Sequence, residues 1–388
     1  MTAERLAAKI SREEKTIKHS FPTALRQLCS HLVTRWQRLG PKTNPTPDKL
    51  NCGLLGAGRF FDYAYVPALN KRNSPLVISG ILARDEVKFH CAQRSLRYPA
   101  QHFTDAGALL SSGINSTLIL TPNHLHLELA RSALERNLNV FCEKPLVQNV
   151  ADALALRTLA EKSGRVLLVD FNQRYFDRNR VLKQVVTENR IGKIISVRAF
   201  HNQDLRRLPS FATLHRDRTG GGVTHNAGIH FINLFLHWFG DVERVNAVFE
   251  NRALPAECGE DTAHCRFWFR NGVTATLDAS LANAVDTTYE RVEFTGEDGE
   301  ISSDLKKCNI LYRPKSKPPL KIPCRTEIVS DSVFNALAHF AHCVKNRLQP
   351  ETDVDDSIKT LKVIEALTLS ASRGADVPMA EIEGKYAC

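Results

Sequence analysis

A chain of 388 residues, 43% apolar and 24% charged, has the composition of an ordinary soluble globular protein and is long enough for two domains and an appendage. It contains no run of about 18 uncharged apolar residues, which excludes a helical membrane span; its ten cysteines show no C-x-x-C or Cys/His spacing, which points to reduced thiols in the cytoplasm. The formal charge of +10 is concentrated in residues 1–50, where about ten Lys/Arg meet about four Asp/Glu; with no aromatic-basic stripe or helix-turn-helix pattern, nucleic acid is an unfavoured partner.

Residues 1–48 read as a separate basic extension. Leu25, Leu28, Leu32, Trp36 and Leu39 recur at helical spacing, which predicts an amphipathic helix, and "PKTNPTPDK" is a proline-rich linker. Glu4, Glu13 and Glu14 weigh against a mitochondrial presequence. A docking helix and a surface-binding arm both fit, and the role of the extension stays open.

From Lys49 short apolar runs alternate with helical stretches. "LNCGLLGAG", "LVISGILA", "STLILTP", "NVFCEKP" and "RVLLVDF" are strands; "NHLHLELARSALERN" and "ADALALRTLAEKSG" are helices between them. That alternation predicts β-α-β crossovers and a parallel sheet covered on both faces over residues 49–172. Over 173–388 the rhythm changes. "GKIISVRAFHN", "VERVNAVFEN", "DTAHCRFWFRN", "VTATLDASL" and "YERVEFTGEDGEISSD" predict a mostly antiparallel sheet, with Asn271-Gly272 as a hairpin turn. Helices at about 176–190, 225–238, 331–347 and 353–373 are expected to cover one face of it. The fold class is α/β, a parallel doubly wound unit followed by an α+β domain.

Gly56-x-Gly58 follows the first strand directly, where glycines permit a tight turn and let backbone N–H groups approach a pyrophosphate. The match to G-x-G-x-x-G is imperfect, because Phe61 stands at the third glycine. Its position, at the first turn of several β-α units, favours a dinucleotide over an unliganded glycine turn. The second strand ends at Ala83-Arg84, where an NAD enzyme places an Asp or Glu for the ribose 2′-hydroxyl. A guanidinium there favours NADP over NAD, although Asp85 could restore NAD binding. In "NVFCEKPLV" a buried strand stops at Glu143-Lys144-Pro145. The residues alone leave two readings: a solvated turn, or a proline-set turn that aims Lys144 into a cleft.

"GLLGAGR", "TPNHLH", "CEKPL", "SGRVLLVDFNQRY", "IGKIISVRA" and "GGGVTHNAGIHFINLFLHWFG" occur in this order. Together they resemble the glucose-fructose oxidoreductase / inositol dehydrogenase / rhizopine-catabolism (Gfo/Idh/MocA) family, from about Lys49 to the C-terminus. The resemblance implies an NAD(P)-dependent enzyme acting on sugar or cyclitol hydroxyls, a Rossmann domain followed by an open-sheet domain, and homodimers or homotetramers. It implies that Lys144 reaches the nicotinamide ribose and the substrate, that Glu143 lies near the ribose, and that Gly56, Gly58, Arg59, Phe60 and Arg84 surround the dinucleotide. Thr121, Pro122, Asn123 and His124 match the family loop that lines nicotinamide and diphosphate; Asn123 could equally be a helix N-cap.

His230 matches the family's histidine, suited by its ordinary pKa to take a hydroxyl proton. The family's Asp four residues earlier is Asn226 here. That change marks either a subgroup similar to the UDP-N-acetylglucosaminuronate 3-dehydrogenases or weakened chemistry. His225 and His237 read as packing or surface histidines. Arg174 matches a substrate-binding position near the inter-domain cleft, which would suit an acidic ligand, or it forms an interface ion pair. "LRRLPSFATLHRDRT" is the expected substrate-facing loop. A lyase or glycosidase that keeps its NAD, and a non-enzymatic cofactor or metabolite sensor, remain as alternatives within the same fold. No metal site is expected.

Overall fold

The computed structural model describes residues 49–207, 220–283, 288–304 and 309–387. The basic extension with its expected helix, and nearly all of the arginine-bearing loop after Leu205, lie outside the described residues.

Six strands form the first sheet: β1 (Leu50–Leu55), β2 (Leu76–Leu82), β3 (Gln101–Phe103), β4 (Ser116–Ile119), β5 (Asn139–Glu143) and β6 (Leu167–Asp170). All pairs are parallel, in the order β3-β2-β1-β4-β5-β6. Sequence patterning supplies five of them. It misses β3, whose three residues are half exposed and carry no apolar run. The order reverses between β1 and β4, so a crevice opens at their carboxyl ends. A π-helical turn (Phe61–Tyr65) leads into α1 (Val66–Leu69) after β1; α2 (Glu86–Ser95), α3 (Ala106–Leu110), α4 (His126–Glu135) and α5 (Val150–Ser163) follow. Asn149 caps α5 by accepting from Asp152 N, and Gly164, at φ 63°, ends it.

Next come α6 (Asp177–Thr187), β7 (Ile194–Asn202), a π-helical turn (Thr224–Gly228) running into α7 (Ile229–Phe239), β8 (Val242–Glu250), β9 (Thr262–Phe269), β10 (Thr274–Ser280), β11 (Tyr289–Gly296), β12 (Gly299–Asp304), β13 (Asn309–Pro314) and β14 (Leu320–Ile322). Two long helices, α8 (Val329–Asn346) and α9 (Val354–Arg373), precede β15 (Val377–Pro378) and α10 (Met379–Lys385). The second sheet has nine strands in the order β14-β13-β12-β11-β7-β10-β9-β8-β15, and only the β7–β10 pair is parallel. "YERVEFTGEDGEISSD" is a hairpin of two strands, β11 and β12. Gly272 turns the β9–β10 hairpin at φ 87°.

One helix packs elsewhere than expected. The inward face of α8, with Val333, Ala336, Leu337 and Phe340, joins Leu54, Phe141 and Leu168 in the core of the first sheet rather than the second. Phe340 meets Phe141 edge-on, with ring centroids 5.7 Å apart. The 3.6 periodicity shows that α8 has an apolar face but carries no address for it. α7 and α9 contribute Phe231, Phe235, Trp238, Ile358 and Leu361 to the core against the second sheet, where Trp238 meets Phe294 at 5.2 Å.

Candidate active site

A cleft of about 700 Å³ opens above the carboxyl ends of β1 and β4 and is closed on its far side by β7, β11 and α7. Its geometry begins at the glycine turn. Gly56 sits at φ 100°, and a Cβ there would lie 2.6 Å from the Leu120 carbonyl. Only glycine fits that approach. At Gly58 no atom stands within 4 Å of the Cβ position, so the turn borders open space. Phe61 is buried in the apolar core, and the helix begins with a π turn around this bulk. Arg59 is exposed beside the turn, and Phe60, 41% exposed, lines the cleft mouth.

At the end of β2 the Arg84 guanidinium is exposed and has no partner among the described residues, whereas Asp85 caps α2 by accepting from Lys88 N at 2.9 Å. Thr121 and Asn123 line the cleft; Pro122 and His124 are exposed at its rim. Asn123 is not a helix cap, since that position falls on Pro122. The residue that orders this loop is His126, which sequence reading passed over. Fully buried, its ring nitrogens lie 2.8 Å from Thr121 O and 2.9 Å from Pro145 O, tying the Thr121 loop to the lysine turn. Its signal was present in the pattern, because His126, Ala130 and Ala133 share one buried face of α4.

The Lys144–Pro145 bond is cis, and Lys144 Nζ donates to the Asn226 backbone oxygen at 2.5 Å. Burial lowers the Lys144 pKa, against the opposing pull of Glu143 and Asp170. Glu143 accepts from Lys144 N at 3.1 Å and from the Tyr65 hydroxyl at 2.7 Å; Tyr65 Oη also lies 2.6 Å from Asp170 Oδ2. A phenol has one proton, so two short carboxyl contacts require a second proton on one of the acids. Asp170 is the acid that holds it: it is buried, its Oδ1 has no partner, and burial followed by the Glu143 charge pushes its pKa well up. Asp170 thus donates to Tyr65 and Tyr65 to Glu143, whose own pKa burial also raises against the pull of Lys144.

On the opposite wall, Gly220-Gly221-Gly222 passes under the Glu260 loop so closely that a Cβ on Gly222 would lie 2.0 Å from Glu260 O. Glu260 then accepts from Gly222 N, Thr224 N and Thr224 Oγ1 and fixes the start of the π turn. This anchoring presents Asn226 and His230 to the cleft together. Burial, then the charges of Lys144 and His201, hold the His230 pKa well below its usual value, so the imidazole is neutral. His225 and His237 do not line the cleft.

Arg174 does not line it either. It is 7% exposed, and its guanidinium donates to Asn233 Oδ1 at 2.8 Å, Glu351 O at 2.9 Å and Asp356 Oδ1 at 2.5 Å. Of the two readings the sequence allowed, the structure takes the ion pair. Arg206 likewise pairs with Asp204 at 2.8 and 3.0 Å. The polar lining opposite the glycine turn comes instead from Asn172, Gln173, Arg178, His201, Gln203 and Glu290. Among the described residues no group of His, Cys, Asp and Glu could hold a metal, and no helix is long and apolar enough to cross a membrane.

Sheet order, glycine turn and the crevice at the reversal of strand order define a dinucleotide-binding fold. Comparison with known proteins makes the class specific. Residues 50–171 match the model for the oxidoreductase family with NAD-binding Rossmann fold, and residues 179–302 match the GFO/IDH/MocA C-terminal domain. The chain belongs to the Gfo/Idh/MocA oxidoreductase family. A D-apiose dehydrogenase from Paraburkholderia graminis is 27% identical, covering 88% of this chain and 93% of that protein. A D-xylose 1-dehydrogenase (NADP(+)) from Haloferax volcanii is 25% identical over 84% of this chain and 99% of its own. Among solved structures, a levoglucosan dehydrogenase in complex with NADH and levoglucosan superposes with a TM-score of 0.76 at 20% identity, covering 85% of this chain and 99% of that one.

Proposed function

We propose that this chain is an NAD(P)-dependent dehydrogenase that acts on a secondary hydroxyl of a neutral sugar or cyclitol. One observation carries the reading: Lys144, on the Rossmann half, and His230, on α7, meet in one cleft with the lysine amine tied to the turn that bears Asn226. The relatives named for D-apiose, D-xylose and levoglucosan support the substrate class.

Gly56, Gly58, Arg59, Phe60, Thr121 and Asn123 would hold the dinucleotide, with Glu143 and Lys144 under its nicotinamide end. When bound, the nicotinamide supplies the acceptor for the hydride that leaves the substrate carbon. The neutral His230 imidazole takes the hydroxyl proton, and Lys144 donates to the same oxygen and stabilises its growing negative charge. Asn226 hydrogen-bonds beside them. In the reverse direction protonated His230 returns the proton. Arg84, without a partner among the described residues, and capped Asp85 support NADP over NAD. Arg174 and Arg206 are committed to carboxylates, which removes two of the cations that had suggested an acidic ligand. Because Lys144 and His230 are both in place, a sensor is not favoured; an NAD-retaining lyase would be marked by steady-state turnover without net change in NADH. The open sheet is the expected surface for a homodimer or homotetramer.

Absorbance at the reduced-nicotinamide band, with aldoses, inositols and UDP-sugars screened against each dinucleotide, tests the reading. Lys144→Ala should cut turnover at least about a hundredfold while dinucleotide binding persists. Unchanged turnover would remove Lys144 from the chemistry.

A further inference from the structure

Glu143 ends β5 and Asp170 ends β6, and the two acids stand side by side in parallel register. Tyr65, from the first turn after β1, puts its one hydroxyl between them, 2.7 Å from Glu143 Oε1 and 2.6 Å from Asp170 Oδ2. Tyr65 and Asp170 are fully buried, so Glu143, which lines the cleft beside Lys144, is the way from the cluster to water. Lys144 is the adjacent cation, and its backbone N–H donates to Glu143 Oε2 at 3.1 Å. The other titratable neighbours carry no charge. Burial holds the Cys142 thiol and the Tyr175 phenol protonated, and it keeps His126, His230 and, on α8, His339 neutral. Beyond Tyr175 stand Arg174, matched by Asp356, and exposed Glu351. With one proton between them the two acids carry one negative charge, which the Lys144 ammonium balances. An oxidised nicotinamide ring is cationic and a reduced one is neutral, so only the oxidised form brings a second positive charge to this floor.

We propose that the Tyr65-bridged acid pair releases its shared proton when oxidised dinucleotide binds and keeps it when the reduced form binds, so that Asp170 sets the preference between the two redox states. This rests on the dehydrogenase reading above, with the nicotinamide end over Glu143 and Lys144, and deepens it. Asp170 passes its proton to Tyr65 Oη as Tyr65 passes its own to Glu143, and Glu143 gives that proton to water in the cleft. Tyr65 is left donating to Asp170, while Glu143 keeps the Lys144 N–H. Two carboxylates then face two cations, Lys144 and the ring, and the balance is restored. Without the ring, burial and the Glu143 charge hold the proton on Asp170. Because a proton leaves on binding, affinity for the oxidised form rises with pH, by up to about tenfold per pH unit, while affinity for the reduced form stays flat.

Calorimetry on the full chain counts the protons. NADP or NAD, whichever binds, is titrated in both redox forms, in buffers of different ionisation enthalpy between about pH 6.5 and 8.5. The phosphates are common to both forms and cancel in the difference. In the wild type the oxidised form should release about 0.5–1 proton more than the reduced form. In Asp170→Asn that excess should vanish, because Glu143 without a second acid beside it is already ionised next to Lys144. Tyr65→Phe takes a donor from both acids and should move the release to higher pH; it stands in if Asp170→Asn does not fold. Equal proton counts for the two redox forms overturn the proposal and leave the dehydrogenase reading standing. So does an excess that survives in Asp170→Asn, since Lys144 is then its source. A chain that binds neither dinucleotide overturns that reading and this inference together.

Discussion

Asp170 is the best place to test the proton count beneath the cleft, and the test needs no substrate. In the folded protein its proton bridges it to Tyr65, and burial beside Glu143 raises its pKa well above the ordinary carboxylate range. In the unfolded chain it ionises near pH 4. Between those two pKa values the folded state holds a proton that the unfolded state has lost, so this group's contribution to stability falls as pH rises. The loss is about 1.4 kcal/mol for each pH unit of that window. Asp170→Asn removes the titration but keeps the donor, since an amide N–H can still reach Tyr65 Oη. The variant should match the wild type within about 1 kcal/mol near pH 4.5. It should then gain on the wild type by about 1.4 kcal/mol per pH unit until Asp170 ionises in the fold. Urea unfolding at intervals from pH 4.5 to 9 measures the difference. Tyr65→Phe is the contrasting variant: it deletes the hydroxyl between two buried acids and should cost about 1–3 kcal/mol near neutrality. An Asp170→Asn protein whose stability runs parallel to the wild type across the whole range would refute a protonated Asp170.

Arg84→Ala should weaken NADP by about tenfold or more and leave NAD within about twofold, read by fluorescence titration; equal effects would discard the 2′-phosphate contact. Arg174→Ala strips the partner from mostly buried Asp356 and should cost about 3–5 kcal/mol in unfolding experiments with the KM of the folded enzyme unchanged. A raised KM at unchanged stability would restore Arg174 to the substrate site. Asn226→Asp puts a negative charge beside His230 and raises its depressed pKa, so the acid limb of the kcat/KM profile should move to higher pH. An unmoved limb would place the Asn226 side chain away from the base.

The fold was legible where hydrophobic period and turn chemistry agree. Five of the six parallel strands and all four long second-half helices follow from pattern alone, because each buries its apolar positions at the spacing its own geometry requires. What escaped were the short edge elements β3, β14 and β15, whose two or three residues are too few to show a period, together with the longer β13 and α2. The destination of α8 escaped as well. An apolar stripe specifies that a helix must be covered, and chain return across the molecule decides by what.

The cleft divides along the same line. Gly56, Gly58, Glu143, Lys144, Asn226 and His230 sit in short contiguous motifs, where local spacing carries the information that chemistry needs. Tyr65 meets Asp170 across 105 residues, and His201 meets Glu290 across 89. Neither pair has a motif, since each partner alone is an ordinary residue in a strand or helix. His201 and Glu290 did leave one trace: each takes an inward position of an alternating strand that is otherwise apolar, two residues beyond the core. A polar residue in phase with a buried face meets either an uncompensated cost or a ligand, and where the strand ends in a cleft the ligand is the simpler explanation. The motif "TPNHLH" offers two histidines, and only the helix phase, which puts His126 with Ala130 and Ala133, separates the buried one from its exposed neighbour.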